Sequence, residues 1–232
     1  MSGHACGTHE AALRLALGLD ELPDPRTDRS VLDARPMEAW RILDLGAGPN
    51  PFPWVAGGPE YIHHREIKVT VDLPGAERPE GETLWSDAHK EMDLHAPGGA
   101  WQCMGGDFDL VVAIELIEHM ENPWALLRRI RERLAPEGRA VVSTPDICSK
   151  PARQWFLDTG FPAWFSPSDL ESTGHISPIL PHLFREMARR AGLVVTGQAW
   201  NEPPPHWVEQ ASDAEIADIK EAVQVWRLEV AP

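Results

Sequence analysis

The sequence predicts an α/β protein built on a mostly parallel sheet with helices on both faces. Three observations carry this. Short apolar runs that stop at Gly or Asp alternate with segments of helical spacing, and a Gly-x-Gly turn directly follows the first of those runs. One run, Asp109 to Ile114 (DLVVAI), is continuously rather than alternately apolar. A strand covered by helices on both sides has no polar face, so unbroken apolarity marks it.

The elements follow in order. Residues Met1 to Thr8 are small and polar and predict a frayed tail, whereas Glu10 to Leu19 spaces Leu13 and Leu17 as a helix does. A connector rich in Pro and Asp (ELPDPRTDR) leads towards the first strand, Arg41 to Leu45, which stops at Gly46. Ile67 to Val71 (IKVTV) is the second strand, closed by Asp72 and the turn Pro74-Gly75. A third lies between Thr83 and Leu94, with Asp87 and Asp93 competing as its end, and Asp109 to Ile114 is the fourth. Asn122 stands where an N-cap belongs and Pro123 takes the first helical position. Leu127, Ile130 and Leu134 then follow at helical spacing until Pro136 and Gly138. Ala140 to Ser143 is strand five, Pro181 to Ala191 a helix and Leu193 to Thr196 strand six. In such sheets ligands bind outside the carboxyl ends of the strands, which gathers Gly46, Asp72, Glu115 and Ser143. The chain divides into an N-terminal helical extension, residues 1–40, and one domain over 41–232 with an aromatic-rich insertion at about 150–174.

Composition narrows the function. Thirty-six acidic against 21 basic residues give a formal charge of -15, which repels the phosphates a nucleic-acid binder must neutralise. No apolar run approaches the roughly 20 residues that span a bilayer, and the first residues lack the basic-then-apolar pattern of a signal peptide, so the expectation is a cytoplasmic protein. Cys6, Cys103 and Cys148 lie far apart without paired spacing and read as free thiols. Oligomeric state leaves no mark in the sequence.

In ILDLGAGPNPF a strand runs into Gly-x-Gly, a turn that lets backbone approach a ligand with no Cβ in the way. A dinucleotide fingerprint needs a third small residue for helix–strand packing, and Pro51 fills that position, which disfavours NAD and FAD.

With ILDLGAGPNP go VTVDL, the long block FDLVVAIELIEHMENPWALLRRIRERLAPEGRAVVSTPD and GHISPILPHLFREMARRAGLVV. Together these resemble class I S-adenosylmethionine (SAM)-dependent methyltransferases of the group that includes ubiquinone-type O-methyltransferases, from about Arg41 to Val195. The resemblance implies a Rossmann-like sheet of seven strands, the last antiparallel, with Trp226 to Val230 as its candidate. It implies SAM as cofactor and methyl transfer to O, N or C of a small-molecule acceptor. Gly46 and Gly48 would meet the methionine moiety, with Asp44 ordering the turn, and Asp72 would accept hydrogen bonds from the ribose hydroxyls. Asp93 and Leu94 would face the adenine, with Asp87 the rival, and Glu115 would border the cofactor. The chain departs from the family where a third glycine is common: Asn50 stands there between prolines, a residue that tolerates left-handed backbone.

Glu115, Glu118 and His119 form E-x-x-E-H just after strand four. In the general family these positions shape the pocket floor without metal, and the metal-free reading is the one adopted. In small-RNA terminal 2′-O-methyltransferases a similar motif and a later histidine, here His175, bind a divalent cation, which gives the alternative of a metal-assisted RNA enzyme. Without metal, His119 and His175 are the catalytic candidates, His175 as general base. A third alternative is a non-catalytic partner subunit of the same fold. The aromatic insertion reads as a lid over the acceptor, and Arg128, Arg129, Arg131 and Arg133 as a solvated face paired with Glu132.

Overall fold

A computed structural model describes residues 8–18, 40–47, 67–72, 88–96, 101–201 and 222–232. Its strands are β1 (Arg41–Leu45), β2 (Ile67–Asp72), β3 (Ala88–Glu91), β4 (Phe108–Ala113), β5 (Leu134–Pro145), β6 (Leu193–Trp200) and β7 (Val223–Val230). The helices are α1 (Thr8–Leu17), α2 (Pro123–Arg133), α3 (Lys150–Thr159), α4 (Pro167–Ser172) and α5 (Pro181–Arg190), with 3₁₀ turns at Gln102–Met104 and Ile117–His119. The strands form one sheet in the order β3-β2-β1-β4-β5-β7-β6. The pairs from β3 to β5 are parallel, and β7 lies antiparallel to both β5 and β6.

Alternation along the strands divides the core into two layers. On one face Leu43, Val111, Ala113, Ala140, Val142 and Trp226 pack with Leu126, Leu127 and Ile130 of α2 and with Phe184, Met187 and Ala188 of α5. On the other, Ile42, Leu110, Val112, Val141 and Val225 pack with Ala11, Ala12, Leu13 and Ala16 of α1. Both faces of the central strands are therefore apolar, as the unbroken run of β4 predicts. The segment expected as an N-terminal extension thus supplies one helix to the domain's own core; Thr8, expected in a frayed tail, is the buried first residue of α1.

Local chemistry explains the boundaries that hold and those that move. Asn122 Oδ1 accepts from the Ala125 amide at 3.0 Å and Pro123 opens α2, as expected. Leu134, counted by spacing with that helix, instead begins β5 and pairs with Phe108, and the register shifts before Leu110 meets Arg139. This shift takes up the Pro136–Gly138 turn without ending the strand. β3 is a four-residue edge strand, AHKE, and Asp93 and Leu94 follow its carboxyl end. Asp87 precedes β3 in the chain, so it does not close that strand; its own placement lies outside the described residues. β6 runs to Trp200 and β7 starts at Val223, both longer than their apolar signals. The insertion after β5 forms α3 and α4, capped by Ser149 and Ser166. Arg129 pairs with Glu132 at 2.8 Å on the exposed side of α2, as expected.

Trp226 joins β7 to α5: its ring stacks on Phe184 at 4.8 Å between centroids, the Arg185 guanidinium lies 4.9 Å from it, and its indole N–H has no partner. Trp226→Ala should destabilise the fold by about 3–5 kcal/mol in denaturant unfolding. Trp226→Phe, which keeps the stacked ring and removes the orphan donor, should lose clearly less.

Candidate functional site

The carboxyl ends of the parallel strands lie along one edge of the sheet, in the spatial order β3, β2, β1, β4, β5. At the end of β1, Gly46 adopts φ +67°, a left-handed conformation that glycine enters without steric cost. Its amide donates to Val71 O at 2.8 Å, tying the turn to β2. A Cβ at Gly46 would lie 3.0 Å from Leu116 Cδ1, so the turn after β1 and the loop after β4 are in van der Waals contact through this glycine. Asp44, one residue before the end of β1, is buried. Asp72 ends β2, and its side chain lies outside the described residues, as do Gly48, Asn50 and Pro51. Beyond β3, Leu94 is buried; Asp93 is exposed and accepts from the His95 amide at 2.9 Å.

After β4 the chain enters E-x-x-E-H. Glu115 is held at φ +48°, strained for a non-glycine residue, and its amide donates to Ser143 Oγ at 2.8 Å, linking the ends of β4 and β5. Ile117–His119 form a 3₁₀ turn that turns the Glu118 side chain fully inward. Burial, and then the negative charge of Glu115, hold the Glu118 carboxyl well above the usual carboxylate range. The Thr144 hydroxyl and the residue's own amide temper that rise, yet neither meets hydrogen-bond geometry. Both carboxylate oxygens and the Thr144 hydroxyl are therefore without partners.

The segment after α4 closes over this loop. The amides of Ile176 and Ser177 both donate to Glu118 O, at 3.0 and 2.9 Å, and Ser177 Oγ donates to Met120 O at 2.7 Å. This clasp brings His175 edge-to-face against His119, with 4.8 Å between ring centres, and Phe165 lies 5.4 Å from His175 on another side. Each imidazole is pinned through Nδ1 to a backbone carbonyl: His119 to Gly174 O at 3.1 Å and His175 to Trp164 O at 2.9 Å. A carbonyl can only accept, so Nδ1 carries the proton in both neutral rings and the lone pair sits on Nε2. Burial lowers both histidines below the ordinary imidazole value. The neighbouring His175 lowers His119 further, while the Gly174 carbonyl opposes; for His175 the Trp164 carbonyl and Asp169 oppose.

The structure thus sets the expected loop of Glu115, Glu118 and His119 against Gly46 through Leu116 and against His175 through the His119 ring, with Glu118 fully buried. Thr144 and Gly174 were not singled out from the sequence, and Trp164 only as one of the aromatic residues of the insertion. Thr144 and the two carbonyls act through burial and main chain, for which only the Gly before His in TGHIS gives a hint; Gly174 has φ +75° and Trp164 φ +66°.

A family model described as a methyltransferase domain matches residues 8–198. The ubiquinone biosynthesis O-methyltransferase of Ruegeria pomeroyi is 28% identical over 123 residues, 50% of this chain and 46% of that protein. The chain therefore spans about half of that relative's length. The enzyme of the same name from Cereibacter sphaeroides is 23% identical over 206 residues, 85% of this chain and 78% of the relative. An S-adenosylmethionine dependent methyltransferase from Mesorhizobium loti shares the fold with a TM-score of 0.56 at 17% identity, over 96% of this chain and 100% of that one. The matched span runs from the start of α1 into β6 and takes in the whole carboxyl edge of the sheet; the chain belongs to the methyltransferase-domain family, with the class I fold whose cofactor is S-adenosylmethionine.

Proposed function

We propose that this protein transfers the methyl group of SAM to an oxygen of a small-molecule acceptor. The observation that carries the reading is the contact between Gly46 and Leu116, which sets the cofactor-side turn against the loop bearing Glu118 and His119. Neighbouring strands lie about 4.8 Å apart, so the edge from β3 to β5 is roughly 19 Å long, enough for a nucleoside at one end and an acceptor at the other. Leu94 and Asp93 take the adenine, Asp72 the ribose hydroxyls, and Gly46 and Gly48 the methionine moiety, with Asp44 beneath the turn and Glu115 at the border. His119 and His175, with Nε2 lone pairs and half-exposed rings, face the acceptor.

When bound, SAM supplies a methyl carbon on a positively charged sulfur that is already a good leaving group. The chain's own residues then have two tasks: to hold the acceptor atom in line with that carbon and to receive or ease away its proton. The carbonyls of Gly174 and Trp164 fix which nitrogen of each imidazole is available, and Phe165 restricts the space beside His175. The insertion that carries Phe165 reads as a cover for the acceptor: Trp155, Phe156 and Phe161 expose 49%, 51% and 44% of their surface, which leaves apolar rings free to meet a ligand. Oxygen is favoured over nitrogen or carbon by the O-methyltransferase relatives. The charge of -15 favours a small acceptor over RNA. No helix among the described residues is long and apolar enough to cross a membrane.

Two substitutions test the cofactor half. Gly46→Ala forces a Cβ into left-handed backbone, a strain of about 1–2 kcal/mol, and displaces Leu116, so SAM affinity measured by calorimetry should fall roughly five- to thirtyfold. Asp72→Ala should cost about 1.5–3 kcal/mol, or roughly ten- to a hundredfold, by leaving the ribose hydroxyls without a charged acceptor. The acceptor half is tested by incubating the protein with SAM and a panel of phenols, catechols, amines and activated carbon acids. Mass spectrometry should find the added methyl on oxygen; transfer confined to amines or carbon would sink the reading.

A further inference from the structure

We propose that Trp200 forms a fixed wall of the acceptor pocket and that Asp146 is its positioning residue, the pair selecting acceptors that present a flat ring. β7 lies antiparallel to both β5 and β6, so β6 runs parallel to β5 and ends on the same ligand-bearing edge of the sheet. Trp200 is its last residue. From the far side of β7 the indole reaches back to the loop after β5, where Nε1 donates to Asp146 Oδ2 at 2.9 Å. Two strand spacings are about 10 Å, a gap that an indole, a hydrogen bond and a carboxylate together span.

The face of the sheet is shared as well as the edge. Trp200 stands opposite Gln224 of β7, and Gln224 opposite Thr144 of β5. Residues opposite one another in a ladder point to one side. Gln198, two residues before Trp200, identifies that side by accepting from Arg185 of α5 at 2.8 Å. It is the side packed by α2 and α5. The turn carrying Glu118 and His119 leads into α2, and the segment carrying His175 leads into α5. Trp200 and the loop of His119 therefore share one edge and one face, with the end of β5 between them.

The ring is held more firmly than packing alone requires. Asp146 is buried and both its oxygens are engaged, Oδ1 by the Cys148 amide at 2.8 Å and Oδ2 by the indole. Its own amide donates to Ala222 O at 2.7 Å, and its carbonyl accepts from the amide of Ser149, the cap of α3, at 3.3 Å. The group that aims the indole is thus itself locked. Asn201, the residue after Trp200, is fully buried and exchanges two hydrogen bonds with the main chain of Val223. Yet Trp200 keeps 38% of its surface open. A buried carboxylate carries a desolvation cost that an apolar residue would not, and here its bond settles how a half-exposed ring is turned. An aromatic ring immobilised before binding gives a flat ligand its stacking energy without the entropy of ordering the wall. That the ligand is the methyl acceptor rests on the methyl-transfer reading above; the wall itself does not.

The test titrates the full-length protein with 1-naphthol, a flat phenol, by calorimetry, with and without S-adenosylhomocysteine, and measures SAM affinity in parallel. The wild type should bind naphthol saturably, and Trp200→Ala should weaken that binding by at least roughly tenfold. Trp200→Phe keeps a ring and loses the donor. Asp146→Asn keeps an acceptor for the Cys148 amide and sets an N–H against the indole N–H. Each of these two should weaken naphthol about three- to tenfold, and the double variant no more than either alone, because Asp146 acts through Trp200. SAM affinity should stay within about twofold throughout. Wild-type protein that does not bind naphthol, or variants that bind it as the wild type does, overturns the wall. Losses that multiply in the double variant, or SAM affinity that falls as far as naphthol affinity, overturn the positioning role and leave only a structural tie. SAM binding without naphthol binding removes this inference and leaves the methyl-transfer reading standing; naphthol binding without SAM binding does the reverse.

Discussion

The reversal of strand order between β1 and β4 is the constraint on which the rest depends. From β1 the chain moves outward to β2 and β3, and from β4 it moves the other way to β5, so the loops leaving these two neighbours diverge. A parallel sheet opens a crevice at such a point without any residue being spent on making it. What the sequence has to add is a turn after β1 that stays low and a loop after β4 that carries chemistry. Gly46 does the first by turning left-handed within hydrogen-bond reach of β2. Leu116 then fills the space that a side chain at Gly46 would occupy, so the two loops meet at the floor of the crevice.

How much of this was readable depends on which physical signal each element carries. The central strands are buried on both faces, and burial writes itself as unbroken apolarity; β4 shifts by a single residue from its expected span. α2 announces its start because Asn122 and Pro123 satisfy local backbone requirements that no distant contact can replace. β3 gave a weak signal because an edge strand of four residues pairs on one side only and needs few apolar groups. Leu134 misled because the same apolar side chain that would close a helical stripe is also what begins a buried strand, and its pairing with Phe108 decides between them through a contact far away in sequence. The length of β7 was hidden for a similar reason: Gln224 and Val225 are strand residues because β5 and β6 flank them on both sides, and Val223 because it pairs with Pro145 of β5.

The candidate site divides in the same way. Side chains that act by their own chemistry, Glu115, Glu118, His119 and His175, stand out by type and by their place after a strand or in a short polar segment. Their arrangement does not, because it is made by main chain. The Glu118 carbonyl accepts from two amides in the segment that carries His175, and the carbonyls of Gly174 and Trp164 choose the tautomer of each histidine. Every residue has a carbonyl, so no residue type marks these partners in advance. The end of the edge beyond β3 shows the limit from the other direction. Two acids could close the third strand by composition, and only the position of β3 in the chain puts Asp93 and Leu94, rather than Asp87, after its carboxyl end.

Glu118 is where stability and chemistry pull against each other most directly. A carboxyl with no exposure, no hydrogen-bond partner and a second acid nearby is an unfavourable group for a folded protein to contain. Its surroundings nevertheless fix it firmly: the 3₁₀ turn at Ile117–His119 directs it inward, two amides secure its carbonyl, and Ile117 beside it is fully buried in the larger core layer. Leucine or methionine at this position would fill similar volume without the desolvation cost, and the fold would gain by the exchange. Two imidazoles held with their Nε2 lone pairs free lie a few ångströms away, so the most unfavourably buried group stands beside the most chemically versatile side chains of the loop. The apolar layers packed by α1, α2 and α5 are what let the protein tolerate that group.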